Sequence, residues 1–275
     1  MKNYDQIIFE RLSKLLNECS DLLTNMKPET EEEYSAMLAG VLNVFENREI
    51  MDMYFTEMVH KLEPKKYSSN PYYMQVSFDE DIVSEHWTLG MRSYKPYEAF
   101  VCDEFITKDD GRHIPQIGYF EKEYSYPCVL QDGVEWMTIT PNEINTMRGP
   151  IEKAHGKVIT FGLGLGYFAI MTALSDKVDK VIVIEKDSNV IELFEKHILP
   201  CFSKDVQSKI EVLCQDAFRF SEELRKSPLK PCDYVFSDIW HDPSDGVELY
   251  KQLKSLERDD VEYNYWIEKT LKWYL

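Results

Sequence analysis

Glycine is scarce in this chain, 11 residues in 275. Basic residues are few as well: 31 Lys and Arg stand against 49 Asp and Glu, a formal charge of −18. Such a field repels phosphate backbones, so a nucleic-acid partner is not expected, whereas cationic ligands, amines included, are attracted. The six cysteines, Cys19, Cys102, Cys128, Cys201, Cys214 and Cys232, never fall in a CxxC or CxxxC spacing. That spread argues against a zinc site or a small disulfide scaffold, and fits buried thiols in a reducing, cytoplasmic setting. The opening residues MKNYDQIIFERLSKLL carry charges throughout and show no apolar signal-peptide core. One uncharged stretch, residues 158–175, reaches the lower limit for a membrane span. It starts with a β-branched run and holds three glycines, which describes a strand, a turn and a buried helix instead. The chain also lacks internal repeats and low-complexity tracts.

What is present is material for a core, 44% hydrophobic and 13% aromatic residues, which argues against disorder. Residues 1–63 read as a helical module. Ile7, Ile8, Leu12, Leu15, Leu16, Cys19, Leu22 and Leu23 recur at helical spacing. Pro28 breaks that helix, and Thr30 followed by three glutamates reads as the cap of a second helix ending near residue 46. A third helix is expected over 48–62. The module serves packing or a homodimer interface.

Residues 64–150 are rich in Tyr, Phe, Val and Pro and read as a β-rich, substrate-side segment. Turn signals fall at Asp109-Asp110-Gly111 and Asp132-Gly133, and YPCVLQDGVEWMTIT predicts a hairpin. Pro141 and Pro150 bracket a short helix or loop. Trp136, Met137, Thr138 and Glu143, with His86 and Trp87, are candidates to line a pocket.

Residues 151–275 change pattern again. KVITF, VDKVIVIE, KIEVLC and CDYVFSD are short apolar strands alternating with amphipathic helices, the second of which takes Ser188 as its cap. This predicts an α/β domain, a Rossmann-like parallel sheet with helices on both faces. Only one more helix is expected after the fourth repeat. That leaves the edge of the fourth strand to be covered by the 126–140 hairpin or by this terminal helix.

Ligands of open α/β sheets bind beyond the carboxyl ends of the strands. The first strand is followed by Gly162, Gly164 and Gly166, the second ends at Glu185, and the third leads into Asp216 and Ala217. The fourth leads into Asp238-Ile239-Trp240-His241-Asp242. Glycines let a ligand approach the backbone closely or let the chain turn tightly. The dinucleotide fingerprint GxGxxG fails, because residue 167 is Tyr. Glu185 can accept from two ribose hydroxyls. Asp216 can accept from an adenine amino group, or cap the following helix. His241 and Asp242 are adjacent and cannot form a full metal site, so no metal is expected.

The segments VITFGLGLG, VIVIEKD, CQDAF and CDYVFSDIW resemble the class I S-adenosylmethionine-dependent methyltransferases over roughly 157–256. The resemblance implies a cofactor site in which Gly162, Gly164 and Gly166 wrap the methionine part. Glu185 meets the ribose, Asp216 and Ala217 hold adenine, Asp238 faces the sulfonium, and Phe161 and Lys186 are further cofactor-binding candidates. VDKVIVIEKDSNVIELFEKHILP and DYVFSDIWHDPSDG also resemble the spermidine-synthase branch. Two positions depart: Thr160 stands where many methyltransferases have an acid, and Leu165 where the spermidine-synthase branch has an Asp.

The cofactor implied is S-adenosyl-L-methionine or a decarboxylated analogue, and the partner a small-molecule acceptor. Asp238 is the expected catalytic carboxylate, able to bind an ammonium and help remove its proton, with His241 the second candidate base. Trp240 is expected to wall a planar substrate or a sulfonium. A methyltransferase is the first reading. An aminopropyltransferase is the alternative, and a catalytically inactive binding or interaction protein a third.

Overall fold

The computed structural model describes residues 4–275. Contacts group the chain into two compact units, not into three consecutive segments. Of the described residues, one comprises 4–68, 92–125 and 140–143, the other 69–91, 126–139 and 144–275.

In the first unit, the amphipathic helix Asp5–Cys19 buries Ile8, Leu12 and Leu15, three residues of the predicted stripe. Thr30 caps the helix Glu31–Val41, its side chain accepting from the Glu33 N–H. The single helix expected over 48–62 stops short. Helical turns cover 48–58, and Val59–Lys61 is then extended. Those three residues pair in parallel with Ile117, Gly118 and Tyr119, so sheet pairing outcompetes helix continuation there. Strands His113–Tyr119 and Phe100–Thr107 complete a three-stranded sheet. Helix and sheet share one apolar core, in which Tyr34 stacks on Tyr119 at 3.8 Å. Buried Asp5 accepts from the Tyr54 hydroxyl at 2.6 Å and the His113 N–H at 3.1 Å, so this carboxylate is paired despite its burial.

The second unit is built on a parallel sheet. Its strands are β1 (Gly156–Phe161), β2 (Val178–Glu185), β3 (Ile210–Cys214), β4 (Tyr234–Ser237) and β5 (Glu262–Tyr265), in the spatial order β3-β2-β1-β4-β5. The helices are α1 (Tyr167–Ala173), α2 (Ser188–Leu193), α3 (Lys204–Lys209), α4 (Ala217–Lys226), α5 (Pro243–Ser255) and α6 (Glu268–Trp273). The strand order reverses between β1 and β4, with successive strands added to one side and then to the other, the switch point of a doubly wound fold.

Side-chain alternation explains why both faces are covered. Phe236 on β4 pairs with Thr160 on β1, so those two share a face, and Phe161 points to the other. Phe236 stacks on Phe168 of α1 at 4.0 Å, and Phe161 meets Phe220 of α4 edge-on. Accordingly α1 packs with α3, and α4 with α5.

The edge of β4 is covered by neither the hairpin nor a terminal helix. The tail contains a fifth strand, β5, which pairs in parallel with all of β4. It escapes a reading based on apolar runs because EYNY alternates polar and aromatic residues and only Tyr265 is buried. The second helix is capped by Asp187, not by Ser188: the Asp187 side chain accepts from the Asn189 N–H.

Residues 69–91 and 126–139 bring antiparallel pairing to this unit. Ile82–Ser84, Trp87–Tyr94, Tyr124–Gln131 and Val134–Thr138 lie in that spatial order, with Val134–Thr138 at an edge. The predicted two-residue turn is present, Asp132 and Gly133 both having positive φ (51° and 82°) as a tight hairpin requires. Pro141–Lys153 is helical, with Pro150 inside its last turn.

Candidate functional site

The loop after β1 lies beside the chain leaving β4, at the switch point. The Asp238 N–H donates to the Phe161 carbonyl at 2.9 Å, and the Gly162 N–H to the Ile184 carbonyl at 3.0 Å. Gly162, Gly164 and Gly166 all have positive φ (91°, 49° and 70°). Each is also crowded. A Cβ would stand 1.9 Å from the Asp238 carbonyl oxygen at Gly162, 2.3 Å from Met137 Sδ at Gly164, and 2.2 Å from the Phe194 ring at Gly166. Backbone conformation and close packing therefore account for all three glycines with no ligand present.

Leu165, between the last two glycines, is held from two sides. Its carbonyl accepts from the Tyr72 hydroxyl at 2.6 Å, and its N–H donates to Met137 Sδ at 3.2 Å. Tyr72 is fully buried, its ring tilted against Phe202 and edge-on to Tyr167, whose hydroxyl accepts from Asn70. Tyr72 and Asn70 give no motif signal. They are found only by asking which hydroxyls and amides could satisfy the loop's backbone.

Glu185 ends β2 with a largely buried carboxylate. One oxygen accepts from the Leu163 N–H at 3.1 Å, the other from the Asp187 N–H at 2.9 Å. Burial pushes its carboxyl above the usual range, and the two backbone N–H bonds partly offset that. The charge thus sits in the glycine loop itself, within its hydrogen-bonding shell. Lys186 is exposed. Asp187 works in two directions: besides capping α2, it accepts from the Trp87 indole at 2.9 Å, and His86 Nε2 stands 3.6 Å away. Burial opposes its charge, yet the indole and the Asn189 N–H leave its carboxyl below the usual range.

Asp216 is exposed and caps α4, accepting from the Arg219 N–H at 3.0 Å. Ala217 opens that helix and is buried. Phe161 is a core residue, 1% exposed, whose ring is committed to Phe220.

Beyond β4, burial alone pushes the Asp238 carboxyl up to about 7, the range in which a carboxyl can exchange a proton at neutral pH. Just before it, the Ser237 hydroxyl is buried with no hydrogen-bond partner among the described residues. Trp240 lies in the core. Its ring is 4% exposed, lies parallel to Tyr265, and occupies the space that a side chain at Gly246 would fill. A tryptophan two residues past a strand end on an outer repeat packs against α5 and β5, which the expectation of a shorter sheet did not provide. His241 is exposed and donates from Nε2 to the Glu135 carbonyl at 2.9 Å, with Nδ1 3.5 Å from Asp242. Asp242 caps α5 in a reciprocal capping box with Asp245.

A row of rings spans the strand ends. Trp87, bonded to Asp187, meets Trp136 edge-on at 6.0 Å, and Trp136 meets His241 at 6.0 Å. The hairpin residues Trp136 and Met137 thus lie between the end of β2 and the end of β4, over the glycine loop. Of the pocket candidates, His86, Trp87, Trp136 and Met137 gather here, and Glu143 belongs to the other unit. No cluster of three or more His, Cys, Asp or Glu with metal-binding geometry occurs among the described residues. No helix among them is long and apolar enough to cross a membrane.

The topology, with a glycine loop at its switch point, defines a Rossmann-like α/β fold. No family model and no curated protein matches the chain. Solved structures do match. A spermidine synthase from Thermotoga maritima is 15% identical, with 68% of this chain and 55% of that one covered and a TM-score of 0.39. A spermidine synthase in complex with the transition-state analogue AdoDATO is 15% identical, with 68% and 57% covered and a TM-score of 0.42. An O-methyltransferase from Bacillus cereus in complex with SAH is 19% identical, with 37% and 44% covered and a TM-score of 0.28. The chain spans a little over half the length of the two synthases.

Proposed function

We propose that this protein is a transferase that uses S-adenosylmethionine or a close analogue to modify a small-molecule acceptor, in the first reading as a methyltransferase. The observation that carries this reading is the pairing of Glu185 and Asp238 around one glycine loop. The first is a carboxylate held by the loop's own N–H, the second a half-buried carboxyl on the adjoining strand end that desolvation pushes up to about 7. Such a cofactor supplies an electrophilic carbon next to a sulfonium when bound. Glu185 keeps lone pairs for ribose hydroxyls, and Asp238 receives a proton from an acceptor amine or hydroxyl. Asp216 contributes through the helix it caps, and Ala217 through its backbone N–H at the start of that helix.

Aminopropyl transfer onto an amine is the second reading. It is favoured by the ring row Trp87–Trp136–His241, flanked by Asp187 and Asp242. Aromatic faces and carboxylates together suit a cation, and the overall charge of −18 attracts one.

Calorimetric titration with S-adenosylmethionine, its demethylated product, its decarboxylated form and NAD tests both readings. Micromolar binding of an adenosyl-sulfur compound with no binding of NAD is expected. Preference for the decarboxylated form selects the second reading. Absence of binding to every adenosyl compound refutes the cofactor assignment. Tight product binding with no turnover on amine or hydroxyl panels points to a binding protein.

A further inference from the structure

Met137 holds a position that its place in the hairpin does not require. Val129 pairs with Met137 and Leu130 with Glu135, so Trp136 is an extra residue on its strand, a β-bulge. Bulges re-aim the side chains beside them and occur preferentially at sheet edges and near sites. Here the strand is an edge, and the re-aimed thioether reaches the glycine loop. Its Sδ takes the Leu165 N–H at 3.2 Å and fills the space left by the missing side chain of Gly164. Tyr72 holds the carbonyl of the same residue, so the loop is already shaped and the sulfur is an adaptable contact on it. Thioethers are weak acceptors on flexible, unbranched chains, so this contact can be exchanged for a stronger one at little cost.

We propose that Met137 is a specificity-determining residue of the loop, a resident thioether that a ligand's sulfur-bearing chain must displace. This rests on the cofactor reading above. A nucleoside that ends at the ribose leaves Met137 in place. A ligand carrying an amino-acid chain on sulfur moves it aside and takes over the Leu165 N–H. The site thereby discounts long-chain ligands relative to short ones by the cost of that displacement.

The test titrates adenosine and S-adenosylmethionine into the wild-type chain and into Met137→Ala. The variant is expected to bind S-adenosylmethionine about tenfold tighter and adenosine within about twofold of wild type. In parallel, wild-type protein labelled on its methionine methyls is followed by NMR, with Met137→Leu assigning the signal. The Met137 methyl resonance is expected to shift with S-adenosylmethionine and to stay put with adenosine. This readout stands even if the alanine variant folds poorly. If both ligands bind while the resonance is unmoved, or if the variant's gain is absent or equal for both ligands, Met137 is not displaced and the proposal fails alone. If neither ligand binds wild type or variant, the cofactor reading fails and takes this proposal with it.

Discussion

Substitutions at Asp238 and Glu185 carry opposite consequences for stability although burial raises both carboxyls. Desolvation moves the Asp238 carboxyl from 3.8 to about 7. In the unfolded chain the proton leaves first. Between those two values the native state binds more protons, so stability falls as pH rises and the penalty is complete above pH 7. Asp238→Asn removes the ionisation. The variant is expected to melt roughly 3–8 °C above wild type at pH 8, with the gap closing below about pH 4, by calorimetry across pH. Equal melting temperatures at both ends would mean that Asp238 ionises normally. Glu185 shares that pH sign, since its carboxyl is raised as well, but substitution acts the other way because its carboxyl group satisfies two backbone donors. Glu185→Ala leaves the Leu163 and Asp187 N–H groups without their acceptor, at a cost of about 2 kcal/mol in denaturant unfolding. It should also weaken adenosyl-ligand binding by about tenfold, and unchanged affinity would contradict its ribose role.

Among the elements, the glycine loop and the outer strand show where a sequence discloses its fold and where it does not. β1, β2 and β4 are apolar runs bounded by turns and largely buried, a pattern with few other structural solutions, while β3 is a half-buried edge strand that the βα alternation discloses. β5 covers one edge, needs burial at Tyr265 alone, and so carries no apolar run. The candidate acids were legible because they follow strands. Of their partners, Trp87 and Met137 were legible only as pocket candidates and Tyr72 not at all, since all three come from distant stretches and only tertiary contact brings them to particular atoms of the site. Nor did scarcity alone separate glycines that matter from those that do not. At Gly162, positive φ combines with a backbone oxygen 1.9 Å from where a Cβ would stand. Gly162→Ala is expected to cost more than about 3 kcal/mol. Gly40 lies in the helix Glu31–Val41 with nothing within 4 Å of that position, so Gly40→Ala should stabilise by about 0.5–1 kcal/mol. Urea unfolding of the pair measures both, and a mild effect at Gly162 would mean the loop is loosely held.

For the molecule as a whole, the parallel sheet shares its compact unit with earlier stretches of the chain. Its unit draws on residues 69–91 and 126–139, and these supply much of what holds the glycine loop. Tyr72 buries its whole ring beside Tyr167 and Phe202, Trp87 bonds Asp187, and Met137 fills the space at Gly164. Removing one buried large aromatic costs about 3–5 kcal/mol, which is comparable to a sizeable part of the 5–15 kcal/mol that typically holds a domain together. Residues 151–275 contain every βα repeat but none of these three side chains. Expressed alone, this fragment is expected to lose cooperative melting, or to melt at least about 10 °C below the full chain, by circular dichroism. Amide exchange should locate the loss, with Leu163 to Gly166 exchanging fast in the fragment and slowly in the full chain. A fragment that melts like the whole would mean that the sheet shapes its own loop, and that the contacts from Tyr72, Trp87 and Met137 follow from the loop's geometry instead of producing it.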